Sequence, residues 1–136
     1  MTLQELIEQG FQKQHDLNCS ETILKGANDT YRLGLDENAI RLAAGFGGGM
    51  GVENACGVVT GMVMALSARY AEERGHTSPE MKDKIKLAID KFESQYRSTN
   101  CFCLKQNHRD EEKGCHELIR SGGRILDEIM KERKDD

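Results

Sequence analysis

The stretch Cys56–Tyr70, CGVVTGMVMALSARY, is apolar on nearly every side until Arg69. A helix at a protein surface carries one apolar stripe, whereas a helix that is apolar all round lies inside a bundle. The stretch therefore predicts a central helix, stopped at Gly75, with other helices packed about it. Gly57 and Gly61 stand four residues apart on one of its faces, where missing side chains let a neighbouring helix come close. The longer apolar run, Ala55–Ala71, contains Thr60, Ser67 and Arg69 and falls short of the roughly 20 residues of a membrane span, so no membrane insertion is expected.

Immediately upstream, Ala44–Ala55 reads AGFGGGMGVENA. Gly45, Gly47, Gly48, Gly49 and Gly51 would each cost about 0.5–1 kcal/mol inside a helix or strand, so their use must lie in backbone shapes that need a positive φ or a missing Cβ. Such a loop can bring bare N–H groups close to a ligand. It leads to Cys56, at the start of the central helix. A thiol there meets unpaired N–H groups and the positive end of the helix dipole, and both favour the thiolate.

Outward from this centre the chain reads as helices. Thr2 and Glu5 form a capping-box pattern, and Leu3, Leu6, Ile7 and Phe11 predict a first helix to about Gln14. A second begins at Asn18–Cys19, carries Ile23, Leu24, Ala27 and Tyr31 on one stripe, and stops at Gly34. Asp36 caps a short third, with Ala39, Ile40 and Ala43 facing inward and Gly45 at its end. Ser78 and Pro79 supply a cap and first residue for a fifth, whose stripe runs from Met81 through Ile85, Ala88 and Phe92 to Tyr96. Ser98–Gly114 shows no sustained period and reads as a loop. Cys115 opens a last helix, buried along Leu118, Ile119, Gly122, Leu126, Ile129 and Met130, and a charged tail, KERKDD, should fray. The expected fold is all-α: residues 1–136 as one helical bundle of five to six helices with a glycine-rich loop.

A chain of 136 residues with 38% apolar content and one proline fits a single core. Its net charge of −4, without a basic stripe, argues against nucleic acid as a partner. The start, MTLQELIEQGFQKQ, lacks the basic and then apolar pattern of a signal peptide, so the five cysteines are expected to be reduced thiols in the cytoplasm. In that setting metal binding or redox chemistry is commoner than a disulfide framework.

Cys19, Cys56 and Cys115 fall at predicted helix starts, and Cys101 and Cys103 lie in the loop before the last helix. If those starts converge, their dipoles and N–H groups stabilise thiolates together, or the negative charge of a thiolate-bound metal centre. Cys19, Cys56, Cys101 and Cys115 are the candidate metal ligands, and Gly48, Gly49, Gly51 and Gly57 the backbone that would cradle the cofactor. Three chemistries suit the set. Four thiolates can hold an iron–sulfur cluster that passes electrons to an unidentified redox partner. Without metal, Cys56 can act as the attacking thiol of a redox protein. Zinc is the third, with His108 and His116 as further ligands. Glu53, Asp110, Glu111 and Glu112 read as solvated carboxylates. Other motifs fail: the glycines follow a helix and precede no GK[ST], and C-x-x-C is absent. Close-packing glycines would also permit a homodimer.

These residues resemble the C-GCAxxG-C-C family of redox-active proteins, and the resemblance spans most of the chain. Cys19 in NCSETIL corresponds to its first cysteine, GGGMGVENACGVVTG with Cys56, Gly57 and Gly61 to its central motif, and Cys101 and Cys115 to its last two cysteines. Val58 stands where the motif has alanine, and Cys103 is additional, making a C-x-C pair with Cys101. The resemblance implies a redox role and supplies no substrate.

Overall fold

The computed structural model describes residues 1–112 and 114–131. Among these the regular structure is helical: α1 (Leu3–Glu8), α2 (Phe11–His15), α3 (Cys19–Tyr31), α4 (Glu37–Arg41), α5 (Gly57–Tyr70), α6 (Pro79–Tyr96), α7 (Cys101–His108) and α8 (His116–Met130). Two isolated bridges, Ala55 with Asn100 and Asp110 with Gly114, are the only β-type pairings among the described residues. No helix there is long and apolar enough to cross a membrane.

Helix α5 is the expected centre, packed against α3, α6 and α8. Its Val58, Met62, Ala65 and Leu66 are wholly buried, and each side chain of Val or Leu size so placed contributes about 1.5–3 kcal/mol. Close approach sets this packing. A Cβ on Gly61 would stand 2.9 Å from Ile23 Cβ and 3.0 Å from Ser20 O, so α3 lies directly against α5. Gly122 of α8 makes room in the same way for Val58. The glycines of α5 are thus covered inside the chain.

Among the described residues eight α-helices replace the expected five to six, for local reasons. The first helix is broken at Gly10 (φ 93°), which ends α1 and starts α2 while the apolar stripe continues across the kink to buried Phe11. Helix α3 stops at Tyr31 because Arg32 already turns left-handed (φ 54°), two residues before Gly34. Helix α5 ends at Tyr70, ahead of Gly75. There Ser78 Oγ accepts a hydrogen bond from Glu72 N (2.8 Å) and donates one to Arg74 O (2.7 Å), folding the segment into a turn. Ser78 is thereby engaged and gives α6 no side-chain cap, although Pro79 does open that helix.

The largest correction lies in Ser98–Gly114, which contains α7. Asn100 Oδ1 accepts from Cys103 N (3.0 Å) and starts the helix, and Leu104 anchors it in the core. With only Cys101 and Leu104 buried, α7 is too short to show a period. Lys113 and residues 132–136 of the charged tail lie outside the described residues.

Away from the cysteines, Asp127 near the end of α8 accepts from Leu3 N and Gln4 N, both at 2.9 Å, and from the Tyr31 hydroxyl. A carboxylate 5% exposed thus closes the N-terminus of α1 and fastens it to α8 and the end of α3.

Candidate functional site

Four of the cysteines stand at helix starts. Cys19 is the first residue of α3, where Asn18 Oδ1 accepts from Glu21 N and Glu21 Oε1 accepts from Asn18 N, both at 2.9 Å. Cys56 and Cys115 are the residues preceding α5 and α8, and Cys101 is the first of α7. Two main-chain bonds hold Cys56 and Cys101 side by side: Cys56 N donates to Thr99 O (2.8 Å) and Cys101 N to Asn54 O (2.5 Å).

The glycine segment closes over these starts. Asn18 Nδ2 donates to Ala44 O (3.0 Å) and Ser20 Oγ to Ala43 O (2.7 Å), fixing where the segment leaves α4. Gly48, Gly49, Met50 and Gly51 then form a left-handed coil, with φ between 63° and 76°, closed by Asn54 N donating to Gly49 O (2.9 Å). Two glycines are needed for space at the sulfurs. A Cβ on Gly49 would stand 2.6 Å from Cys101 Cβ, and one on Gly57 would fall on Cys19 Sγ. Gly45 needs neither a positive φ nor an empty Cβ position, contrary to the expectation for every glycine of the run.

The result is a cleft of about 280 Å³ lined by Cys19, Cys56, Cys101 and Cys115. Val58, Leu104, Leu118 and Ile119 supply its apolar wall, and Lys105 and Arg109 its charge. Gly48 and Gly57 line it, whereas Gly49 and Gly51 do not. Cys103 is exposed and outside it, so of the C-x-C pair Cys101 is the residue in the cleft.

Burial outweighs the helix starts electrostatically. The Cys56 thiol is pushed up from 9.0 to about 12, first by burial and further by Cys19 and Cys101, against the pull of the Val58 and Val59 N–H groups. Those N–H groups belong to the first turn of α5 and not to the glycine segment. Neither completes a capping hydrogen bond to the sulfur. Cys101 and Cys115 are also raised by burial; Lys105 opposes the rise at Cys101, and Arg109 and Lys105 at Cys115. A helix N-terminus lowers a thiol pKa when water reaches it, and here too little does.

All five cysteines are free thiols. Among the described residues no three His, Cys, Asp or Glu side chains are set to hold a metal ion, so the cleft offers a thiol donor set but no preformed ion cage. His108 and His116 line a separate hollow with Arg109, Asp110 and Glu117, and the His108 ring stands 4.9 Å from that of Tyr96. Glu53 pairs with Lys105 at 3.0 Å, and neither it nor Asp110, Glu111 or Glu112 lines the cleft. Nothing in the sequence pattern marks Lys105 and Arg109 until α7 is recognised as a helix. Four-residue steps from Cys101 then bring all three to one side.

No curated protein and no solved structure matches this chain. The family model described as "Putative redox-active protein (C_GCAxxG_C_C)" matches residues 17–129, a span containing every cysteine of the cleft. The chain belongs to this C_GCAxxG_C_C family of proteins named for redox activity and for their cysteines.

Proposed function

We propose that the cleft is a redox centre in which Cys19, Cys56, Cys101 and Cys115 hold a metal centre of iron–sulfur type, and that electrons pass through it to a partner protein. The observation that carries this reading is that four cysteines from four helix starts line one cleft while the fifth stands outside. Cysteine thiolates are the usual ligands of such clusters, commonly four at a time. When bound, the cluster supplies one-electron transfer. The chain's own residues prepare the place. The Val58 and Val59 N–H groups favour negative charge on Cys56, and Lys105 does so on Cys101 and Cys115. Leu104, Leu118 and Ile119 give the cleft an apolar side. Because burial favours the protonated thiols of Cys56, Cys101 and Cys115, binding a cation there must expel protons, and loading is favoured as pH rises.

One observation favours a second reading, dithiol–disulfide exchange without metal: among the described residues no three His, Cys, Asp or Glu side chains are already set around an ion site. At Cys56 that reading is weakened, since a thiol near 12 yields little thiolate at neutral pH.

The deciding experiment is an absorption spectrum of anaerobically purified protein, with iron, acid-labile sulfide and zinc measured on the same sample. Brown protein containing iron and sulfide is expected. Its absorption should be lost or weakened by serine at position 19, 56, 101 or 115, and kept in Cys103→Ser. Folded, colourless protein without iron sinks the cluster; zinc alone indicates a structural site, and metal-free protein indicates thiol exchange.

A further inference from the structure

Charge is distributed unevenly around the cleft. The chain has 23 acidic against 19 basic residues, yet the cleft wall contains Lys105 and Arg109 and no carboxylate. Glu53 lies outside that wall but pairs with Lys105 at 3.0 Å and its charge reaches Cys101, so the net positive charge of the wall comes from Arg109. Arg109 has no ion-pair partner among the described residues. Between the cations the wall is apolar, through Leu104, Leu118 and Ile119. A cleft with charge of one sign and low-dielectric walls focuses its field and concentrates the opposite ion. The first turns of α3, α5, α7 and α8 open on the same space and add to the field with the same sign.

We infer that the cleft is a binding site for a small oxyanion, drawn to the sulfurs by Lys105 and Arg109. Its volume of about 280 Å³, near the lower edge of the roughly 300–1,000 Å³ of pockets for drug-sized ligands, leaves room for a small oxyanion. The inference goes beyond the redox reading and concerns the cleft with its thiols free of metal, since a centre held by all four cysteines would fill the same space.

Cys103 provides an internal reference, being on the same helix and outside the cleft. The reduced full-length protein is treated with anionic sulfonatoethyl or cationic trimethylammonioethyl methanethiosulfonate, and modification of each cysteine is followed by peptide mass spectrometry. At the half-buried Cys19 and Cys115 the anionic-to-cationic rate ratio should exceed that at Cys103 by about tenfold or more. Bound metal is first removed with a chelator, so that all five cysteines react as free thiols. The excess should vanish in Lys105→Gln/Arg109→Gln and shrink in Arg109→Gln alone, which changes one exposed side chain and keeps a folded comparison available. Sodium sulfate at constant ionic strength should slow the anionic reagent at these two cysteines and not at Cys103. Equal ratios at cleft and reference, an excess that survives loss of both cations, or no protection by sulfate would each overturn the inference.

Discussion

The two ends of α3 treat helix N-termini in opposite ways. At the far end, α1 begins on Asp127, a buried carboxylate that accepts from Leu3 N, Gln4 N and the Tyr31 hydroxyl. At the near end, α5 and α8 begin on Cys56 and Cys115 without a side-chain cap bond, and α3 and α7 open on the same cleft. The first arrangement is complete: fixed charge, fixed donors and no opening. In the second, burial favours the neutral thiols of Cys56, Cys101 and Cys115. Where the fold needs strength the acceptor is already charged; where chemistry is proposed, the charge is left to arrive.

Asp127→Ala should expose this contrast most strongly. Removing an acceptor shared by three buried or half-buried donors is expected to cost about 3 kcal/mol in urea unfolding, while the charge selectivity of Cys19 and Cys115 is retained. A loss below about 1 kcal/mol would remove the distinction between the ends. Gly57→Ala should follow at about 2 kcal/mol, because the new methyl group needs the place of Cys19 Sγ. It should also change the modification rate of Cys19. Gly61→Ala presses on Ile23 instead, and should cost similar stability without altering Cys19.

A pH series sharpens the comparison further. The folded-state pKa of Cys56 is raised from 9.0 to about 12, so its neutral form is favoured by folding. Its contribution to stability is complete below about pH 9 and is lost as pH climbs from there towards 12. The urea midpoint of metal-free protein should therefore fall more steeply above pH 9 in the wild type than in Cys56→Ser; parallel curves would contradict the burial argument. The smallest effect belongs to Glu53→Gln. The partly exposed Lys105–Glu53 pair should contribute no more than about 0.5 kcal/mol, and anion selectivity should persist because Lys105 keeps its charge.

Most of the core was legible in the sequence because it is periodic. The all-round apolar character of Cys56–Tyr70 marked α5 as central, and the stripe from Met81 to Tyr96 marked α6. Legibility failed where one turn decides the outcome. Gly10 breaks a helix without breaking its apolar stripe, and α7 places only two residues in the core. The second failure hid part of the site: with Ser98–Gly114 read as a loop, Cys101 stayed a candidate while Lys105 and Arg109 had no geometric relation to it. Asn100, capping Cys103 N, was the available signal. The helix starts expected at Cys19, Cys56 and Cys115 are present, but at Cys56 and Cys115 burial raises the thiol against the expectation, because spacing along a chain does not disclose how much water reaches a sulfur.

The pairing of residues 54–56 with 99–101 also bears on when the cleft comes into being. Cys56 and Cys101 are brought together across the whole of α5 and α6, which pack on one another, and Cys115 stands at the start of α8, which packs on α3, α5 and α6. Such long-range contacts must overcome the entropy of closing long loops before they give any return. A chain still emerging from the ribosome therefore presents solitary sulfurs. No peptide cut from one helix would reproduce the site, which belongs to the finished fold.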